Sequence, residues 1–393
     1  MSRVYRIQTL DKISAKGLEL LPREGYEVGS EIPRPDAIIL RSHNMHDMAI
    51  PSSVRAIGRA GAGVNNIPVD ACSALGIVVF NTPGANANSV KEMVLMSLLL
   101  SSRRVADGMA WVKSLVGQGA DVPKLVEQRK SDFAGPEIKG KKLGVIGLGA
   151  IGVMVANDAT ALGMEVTGYD PFISVEAAWG LSRAVKRAGG LNTLIGESDY
   201  LTVHVPLSEK TQGLINRETC AQMKKGTRLL NFSRGGLVDN DAVREALASG
   251  QIASYVTDFP DEELLREPHV IAFPHLAAST PEAEENCATM AVTQVRDYLE
   301  FGTIENSVNF PQCQMAPSAP KRIVVANRNV PNMVGQITTL LAEYKINIQD
   351  MINMSRGDFA YNIIDVENEV SEDLLQRIRA VDGVVMTRLI EIE

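Results

Sequence analysis

Residues 142–152 read KLGVIGLGAIG. Leu143, Val145 and Ile146 make a short apolar strand, and VMVANDATALG (153–163) continues with a helical pattern. Between strand and helix, Gly147, Gly149 and Gly152 take GxGxxG spacing, with Ala150 and Ile151 opening the helix. In that setting Gly147 makes the tight turn, Gly149 lets a pyrophosphate approach the backbone, and Gly152 lets helix and strand pack closely. The free N–H groups and positive end of the helix suit phosphate. The alternative is a glycine turn needed only for packing. The next apolar run, MEVTGYD (164–170), decides between them: it ends on Asp170, eighteen residues after Gly152, where a carboxylate binds an adenosine ribose diol. A carboxylate there would repel a 2′-phosphate by about 4 kcal/mol at about 4 Å and an effective dielectric of about 20. The expected cofactor is therefore NAD, with NADP disfavoured.

Outward from this stretch, β-rich runs alternate with helix-length segments. DAIIL (36–40), RAIGRAG (55–61) and GIVVF (76–80) precede it, and YLTVHV (200–205), TRLLNF (227–232), ASYVTDF (253–259) and HVIAF (269–273) follow. The fold class expected is α/β, with two Rossmann-like, doubly wound parallel sheets. Residues 87–116 read as one long helix, and 281–300 as a second that starts at Pro281 and stops at Gly302. NFPQCQMAPSAP (309–320) carries three prolines and little periodicity, so residues 311–320 read as a linker. Beyond it, residues 321–393 give the order βαββαβ, a ferredoxin-like layout expected to form a separate domain.

The 393 residues suffice for two or three domains. The net charge of −8 speaks against a nucleic-acid or anionic-membrane surface as the main partner. No stretch approaches the ~20 apolar residues of a bilayer span, and MSRVYRIQTL lacks a signal-peptide core. Cys72, Cys220, Cys287 and Cys313 form no CxxC pair, which suits a reducing compartment and gives no metal signature. A cytoplasmic protein is expected.

Ligands of open parallel sheets bind beyond the carboxyl ends of the strands. After LLNF come Ser233, Arg234 and Gly235; after ASYVTDF come Pro260, Asp261, Glu262 and Glu263; after HVIAF come Pro274 and His275. Singly, each is an ordinary loop residue. Jointly, they can run hydride chemistry on a 2-hydroxy acid. Arg234 would grip the carboxylate and polarise the C2 oxygen. His275 would take the hydroxyl proton. An acid would orient the imidazole, and counting leaves Glu262 and Glu263 both open, with Glu262 favoured.

GLGAIG, GYDP, VHVPL, NFSRGGLVD and PHLAAST, in that order, resemble the D-isomer-specific 2-hydroxyacid dehydrogenases over residues 1 to about 310. The resemblance implies a substrate domain of residues 1–88 and 280–310 with an NAD-binding domain, 89–279, inserted between. It implies that Arg234 and His275 are catalytic, that Asp258 approaches the nicotinamide amide and that Thr82 borders the dinucleotide. It also lays Val205, Phe232, Ser233 and Ala278 along the cofactor. Ala150 stands where the family often has Arg, and DFPDEE is one residue shorter than the usual run.

For the substrate tail, Arg41-Ser42 follows an apolar strand, and the turn Gly61-Ala62-Gly63 offers backbone N–H groups to a carboxylate. On the residues alone, an anion site and a plain strand terminus are equally good readings. This piece resembles the D-3-phosphoglycerate dehydrogenases, which implies Arg41 and Ser42 on a phosphate and 3-phospho-D-glycerate as substrate. Residues 327–348 look like an ACT domain, which implies L-serine as a regulatory ligand between paired copies, with Asn329 and Asn347 at the matching positions. Asn327 and Asn332 stand where a His and a Gly are frequent. A homodimer or homotetramer is expected, since both the long helices and the ACT domain pair with copies of themselves. The rivals are a glyoxylate or hydroxypyruvate reductase and a non-catalytic NAD-sensing corepressor-like protein.

Overall fold

The computed structural model of the chain describes residues 4–392. They form two compact units, Met1–Asn86 with Pro281–Glu393, and Ala87–Thr280.

The first unit opens with a five-stranded parallel sheet: β1 (Tyr5–Thr9), β2 (Tyr26–Gly29), β3 (Ala37–Leu40), β4 (Ala56–Arg59) and β5 (Val78–Phe80), in the order β2-β1-β3-β4-β5. All four residues of β3 are buried, as a central parallel strand covered on both faces requires. Ile7, Ile39 and Phe80 face Val292 and Val295 of the helix Pro281–Phe301. Ile38, Leu40 and Val79 face the other way, around Cys72.

The second unit is a seven-stranded parallel sheet: β6 (Lys142–Ile146), β7 (Glu165–Tyr169), β8 (Lys186–Arg187), β9 (Tyr200–Val203), β10 (Thr227–Asn231), β11 (Ile252–Thr257) and β12 (Val270–Ala272). Its order is β12-β11-β10-β9-β6-β7-β8. The chain builds outward from β6 through β7 to β8, then returns to β9 on the other side of β6. That reversal opens a crevice at the carboxyl ends of β6 and β9. Residues 87–116, expected as one helix, are two: Ala87–Ser102 and Val105–Ser114. The break comes where residues 133–135 press in. Arg104 N–H bonds to Phe133 O at 3.2 Å instead of continuing the helical ladder, and Gly135 lies against Ser102 O.

The C-terminal part orders β13 (Lys321–Arg328), helix Met333–Glu343, β14 (Ile348–Arg356), β15 (Phe359–Val366), helix Glu372–Arg379 and β16 (Val384–Glu391). The sheet runs β14-β15-β13-β16 with every neighbouring pair antiparallel. One face packs Ile323, Val325, Ile364 and Val366 under the two helices. The other face, with Val324, Ala326, Tyr361, Ile363 and Ile390, joins the apolar cluster of Tyr298, Leu299 and Phe310. This part therefore shares a core with the β1–β5 sheet. Residues 311–320 carry no helix or strand, yet Cys313 is buried and bonds to Ile304, and Ser318 bonds to Asp365.

Among the described residues no helix is long and apolar enough to cross a membrane, and no group of three or more His, Cys, Asp or Glu is placed to hold a metal. The four cysteines are free and buried.

Candidate active site

The glycine loop spans the crevice. Gly147 has φ +90°, and a side chain there would meet His204 O at 2.6 Å. Gly152 is tighter still: a Cβ would come within 1.9 Å of Gly147 O. At Gly149 a Cβ would meet nothing within 4 Å, so the loop is open on the side where a pyrophosphate needs room. The helix Ala150–Ala161 starts there with no side-chain cap, which leaves its first-turn N–H groups to an incoming anion. Asp170, just past β7, reaches back to the loop: its Oδ2 accepts from Leu148 N–H and its Oδ1 from Phe172 N–H, both at 2.8 Å. These features fit a dinucleotide.

Val205 touches the same turn, its Cγ1 2.8 Å from where a Gly147 side chain would stand. Its neighbour His204 carries no motif signal of its own. Its Nε2 pairs with Thr202 Oγ1 at 2.9 Å, its Nδ1 is buried without a partner, and burial pushes the imidazole down to about 3.

Arg234 lies at the end of β10, next to β11 and β9 in the sheet. The buried Asn231 shapes its turn: its amide donates to Arg234 O at 2.9 Å, and its Oδ1 accepts from Ser233 N–H at 3.1 Å. Ser233 Oγ donates to Val203 O at 2.7 Å, tying β10 to β9. The Arg234 side chain donates to Ser233 O at 2.6 Å and has no carboxylate partner among the described residues. A half-buried guanidinium without an acid is suited to an external anion. Phe232 is buried against Phe273, so its side chain belongs to the core and only its backbone faces the site. Ala278 likewise packs against that cluster.

His275 follows β12 with φ +53°, a left-handed backbone unusual for a residue with a Cβ. Asp258, 2% exposed at the end of β11, holds this geometry. Its two oxygens accept from the N–H groups of the next two residues, Leu276 at 3.1 Å and Ala277 at 2.8 Å. The exposed imidazole stands edge-on to Phe259, ring centroids 5.0 Å apart, and Phe259 Cβ lies 3.2 Å from the Cβ position of Gly235. Through Phe259, the His275 loop and the Arg234 turn share one corner. Neither glutamate joins His275. Glu262 pairs with Arg266; Glu263 pairs with Arg244 at 3.6 Å and Arg266 at 3.2 Å. Both sit on the short helix Glu262–Leu265, whose first turn Asp261 caps.

In the first unit, Arg41, Ser42 and His43 present consecutive backbone N–H groups beyond β3. All three donate to Asp11 Oδ2, at 2.7, 2.9 and 3.0 Å. Burial raises the Asp11 carboxyl, but these bonds outweigh it and leave it below its ordinary value. The Arg41 guanidinium pairs with Glu284 at 2.5 Å. Arg59 donates from Nε to Arg41 O at 3.0 Å, with its guanidinium over Gly61. Sequence reasoning passed over Arg59, Asp11 and Glu284, although Arg59 lies two residues before the turn Gly61-Ala62-Gly63. In that turn, Gly61 O accepts from Thr82 N–H and Ala62 O from Asn81. Thr82 is fully buried.

Residues 95–277 match the NAD-binding domain of the D-isomer-specific 2-hydroxyacid dehydrogenases. The D-3-phosphoglycerate dehydrogenase of Haemophilus influenzae is 33% identical over 364 residues, covering 89% of this chain and 85% of that protein. The chain belongs to the D-isomer-specific 2-hydroxyacid dehydrogenase family. The D-3-phosphoglycerate dehydrogenase of Archaeoglobus fulgidus is 35% identical over 320 residues, and that of Methanocaldococcus jannaschii 37% over 294. The chain spans 58% and 54% of those two longer proteins. Among solved structures, an NAD+-bound 3-phosphoglycerate dehydrogenase from Entamoeba histolytica superposes with a TM-score of 0.61 at 25% identity, covering 79% of this chain and 99% of that one.

The second unit thus corresponds to that family's NAD-binding domain. In the C-terminal sheet, Asn329 follows β13, its amide on Gly357 O at 3.1 Å, while Asn347 precedes β14. Arg328 and Arg356 both align with Phe359, whereas Lys321 and Ile348 both align with Val366. The two asparagines therefore stand at opposite ends of the sheet, roughly 25 Å apart at about 3.3 Å per residue. Asn332, in the place of a frequent Gly, has φ +68°, a conformation asparagine tolerates better than most residues. Asn327 is buried and accepts from Asn362 at 2.8 Å.

Proposed function

We propose that this dehydrogenase oxidises 3-phospho-D-glycerate at C2 to 3-phosphooxypyruvate with NAD, the reaction that opens serine synthesis. The observation that carries it is the corner shared by Arg234 and His275, at the ends of β10 and β12 on either side of β11. When bound, NAD supplies a nicotinamide that takes the hydride. Gly147, Gly149, Ala150, Ile151 and Gly152 would hold its pyrophosphate and Asp170 its adenosine ribose. Arg234 binds the substrate carboxylate and stabilises charge on the C2 oxygen. His275 accepts the C2 hydroxyl proton and returns it in the reverse direction. Asp258 holds the His275 loop; its resemblance-based contact with the nicotinamide amide uses lone pairs that two N–H bonds leave available. Glu262 is the favoured orienting acid, since it has one arginine to leave where Glu263 has two.

Arg41 and Ser42 receive the phosphate, and the 61–63 turn receives the carboxylate end. The C-terminal sheet and its two helices act as an ACT module. Asn329 and Asn347 lie too far apart to share one ligand within a chain, which supports a serine site completed by a second copy. The chain then works as a homodimer or homotetramer. The helix Val105–Ser114, with no buried residue, offers further surface for pairing.

The test is the nicotinamide absorbance change with 3-phospho-D-glycerate and NAD, against NADP, and with and without L-serine. Turnover with hydroxypyruvate or glyoxylate but not phosphoglycerate would replace the substrate assignment. Preference for NADPH would remove the role of Asp170.

A further inference from the structure

We infer that Glu284 holds the Arg41 guanidinium in the free protein and sets the affinity for an anionic substrate tail, which must displace it; this rests on Arg41 as the phosphate receptor. The pieces lie together in the first unit. Three backbone N–H groups of residues 41–43 are already satisfied by Asp11, so the backbone of this corner is saturated with its own carboxylate. Asp11 therefore fixes where Arg41 begins, and the guanidinium is the group left to respond to a ligand. That guanidinium is 2.5 Å from Glu284 Oε1. Arg59 approaches from the other side, its Nε on Arg41 O. Cys287, one turn along the helix from Glu284, lies near enough to feel Arg59, Arg41 and Glu284 together. Two guanidiniums and one internal acid thus share a corner.

Any tail anion must compete with Glu284 for Arg41. A neutral hydroxymethyl gains nothing by displacing it, and a single carboxylate only exchanges one monoanion for another. A phosphate dianion brings twice the charge and a third oxygen, so it wins the exchange. Both side chains of the pair are more than a third exposed, which keeps the pair weak enough to open. Glu284 is a positioning residue: it acts through Arg41 and touches no reacting atom.

The experiment is a double-mutant cycle on the full chain with Glu284→Gln and Arg41→Ala, following kcat and KM for 3-phospho-D-glycerate and for the reverse reduction of hydroxypyruvate. In E284Q, the KM for phosphoglycerate should fall by about two- to five-fold, the range of an exposed ion pair, with kcat unchanged. A tail bearing one carboxylate, as in D-malate, meets the same competitor and should gain by a similar factor, while the neutral tail of hydroxypyruvate should gain nothing, so that preference for an anionic tail widens. In the R41A background, E284Q should change nothing. Inorganic phosphate as a competitive inhibitor should bind E284Q more tightly than wild type by a similar factor. An E284Q protein whose phosphoglycerate KM is unchanged or raised would overturn the inference, as would an effect that persists without Arg41. R41A turning over phosphoglycerate as well as wild type would instead remove the phosphate role of Arg41, and that single variant separates the two failures.

Discussion

Asp258→Asn tests how the imidazole of His275 is held. The carboxylate accepts two N–H···O⁻ bonds, from Leu276 and Ala277, the two residues that follow the left-handed His275 backbone. Asparagine keeps one acceptor oxygen and turns an NH2 group toward the other N–H. The oxygen should stay with Ala277, whose bond is shorter and whose N–H is buried, while Leu276, an exposed residue, turns to water. Losing one bond to a charged acceptor costs about 1.5–3 kcal/mol. The positive φ at His275 adds strain of order 1–3 kcal/mol in the same direction. At about 1.4 kcal/mol per tenfold, a loss of about 2 kcal/mol depopulates the held loop about thirty-fold. The expected outcome is a fall in kcat/KM of roughly 10–100-fold, with faster amide exchange confined to the peptide around residues 273–280. The assays are steady-state kinetics, NAD titration and hydrogen exchange read by mass spectrometry. Kinetics within about threefold of wild type would refute the mechanism of holding. Lost NAD affinity with unchanged exchange would assign Asp258 to the cofactor alone.

The glycine loop should separate packing from binding. Gly152→Ala drives a Cβ against Gly147 O and should cost upwards of about 2 kcal/mol by denaturant melts, since a backbone atom cannot swing aside. Gly149→Ala meets open space, so stability should hold while the KM for NAD rises. Glu262→Gln should lower kcat more than Glu263→Gln, and near-normal turnover in both would discard a glutamate as the partner of His275. In the C-terminal sheet, burial raises the Asp365 carboxyl, but the Arg322 bonds outweigh it and leave it below the ordinary 3.8. A depressed carboxyl stabilises above its ordinary value and loses that contribution as pH falls through the lower folded value. The sheet should therefore weaken below about pH 4. Asp365→Ala strands a wholly buried guanidinium and should cost about 3–5 kcal/mol in urea melts at neutral pH.

Much of the NAD-binding sheet was legible because its strands are apolar runs with glycine or acid at their ends, and burial on both faces produces that signal. β1 and β2 went unread: only Ile7 in β1 and Tyr26 in β2 are buried, so strands this exposed, with charged residues between the apolar ones, leave no run to find. Arg234 and His275 could be named, since each follows an apolar strand, whereas Asp258 came only from the family resemblance. Their partners could not. That Asn231 shapes the Arg234 turn, that Asp258 holds the backbone after His275, and that Glu262 and Glu263 face arginines depends on which loops meet, and spacing along a chain does not encode it. The break at Arg103–Arg104 has the same origin: residues 87–116 are helical by propensity, and a segment thirty residues away takes the hydrogen bond.

Proline content at 309–320 suggested a linker; proline removes periodicity without removing order. What fixes that segment is the pairing of Cys313 with Ile304 and the bonds of Ser318 to Asp365; the helix Pro281–Phe301 before it has last carbonyls that need donors. The C-terminal sheet supplies them: Arg388 bonds Tyr298 O at 2.7 Å, Arg322 bonds Phe301 O at 2.9 Å, and Tyr361 bonds Gly302 O at 2.9 Å. Two guanidiniums at the negative end of a helix also complement its dipole. Arg322 is balanced by Asp365, whereas Arg388 keeps Nε and Nη1 without partners and rests over the Tyr298 ring at 4.7 Å. Burying such a group is costly, and an apolar side chain would fill the same volume without reaching a carbonyl. The cation is therefore explained by the helix end it caps. Glu284 sits in the first turn of that same helix, paired with Arg41. One rigid element thus ends in the C-terminal sheet and begins at the residue proposed to govern the substrate's tail.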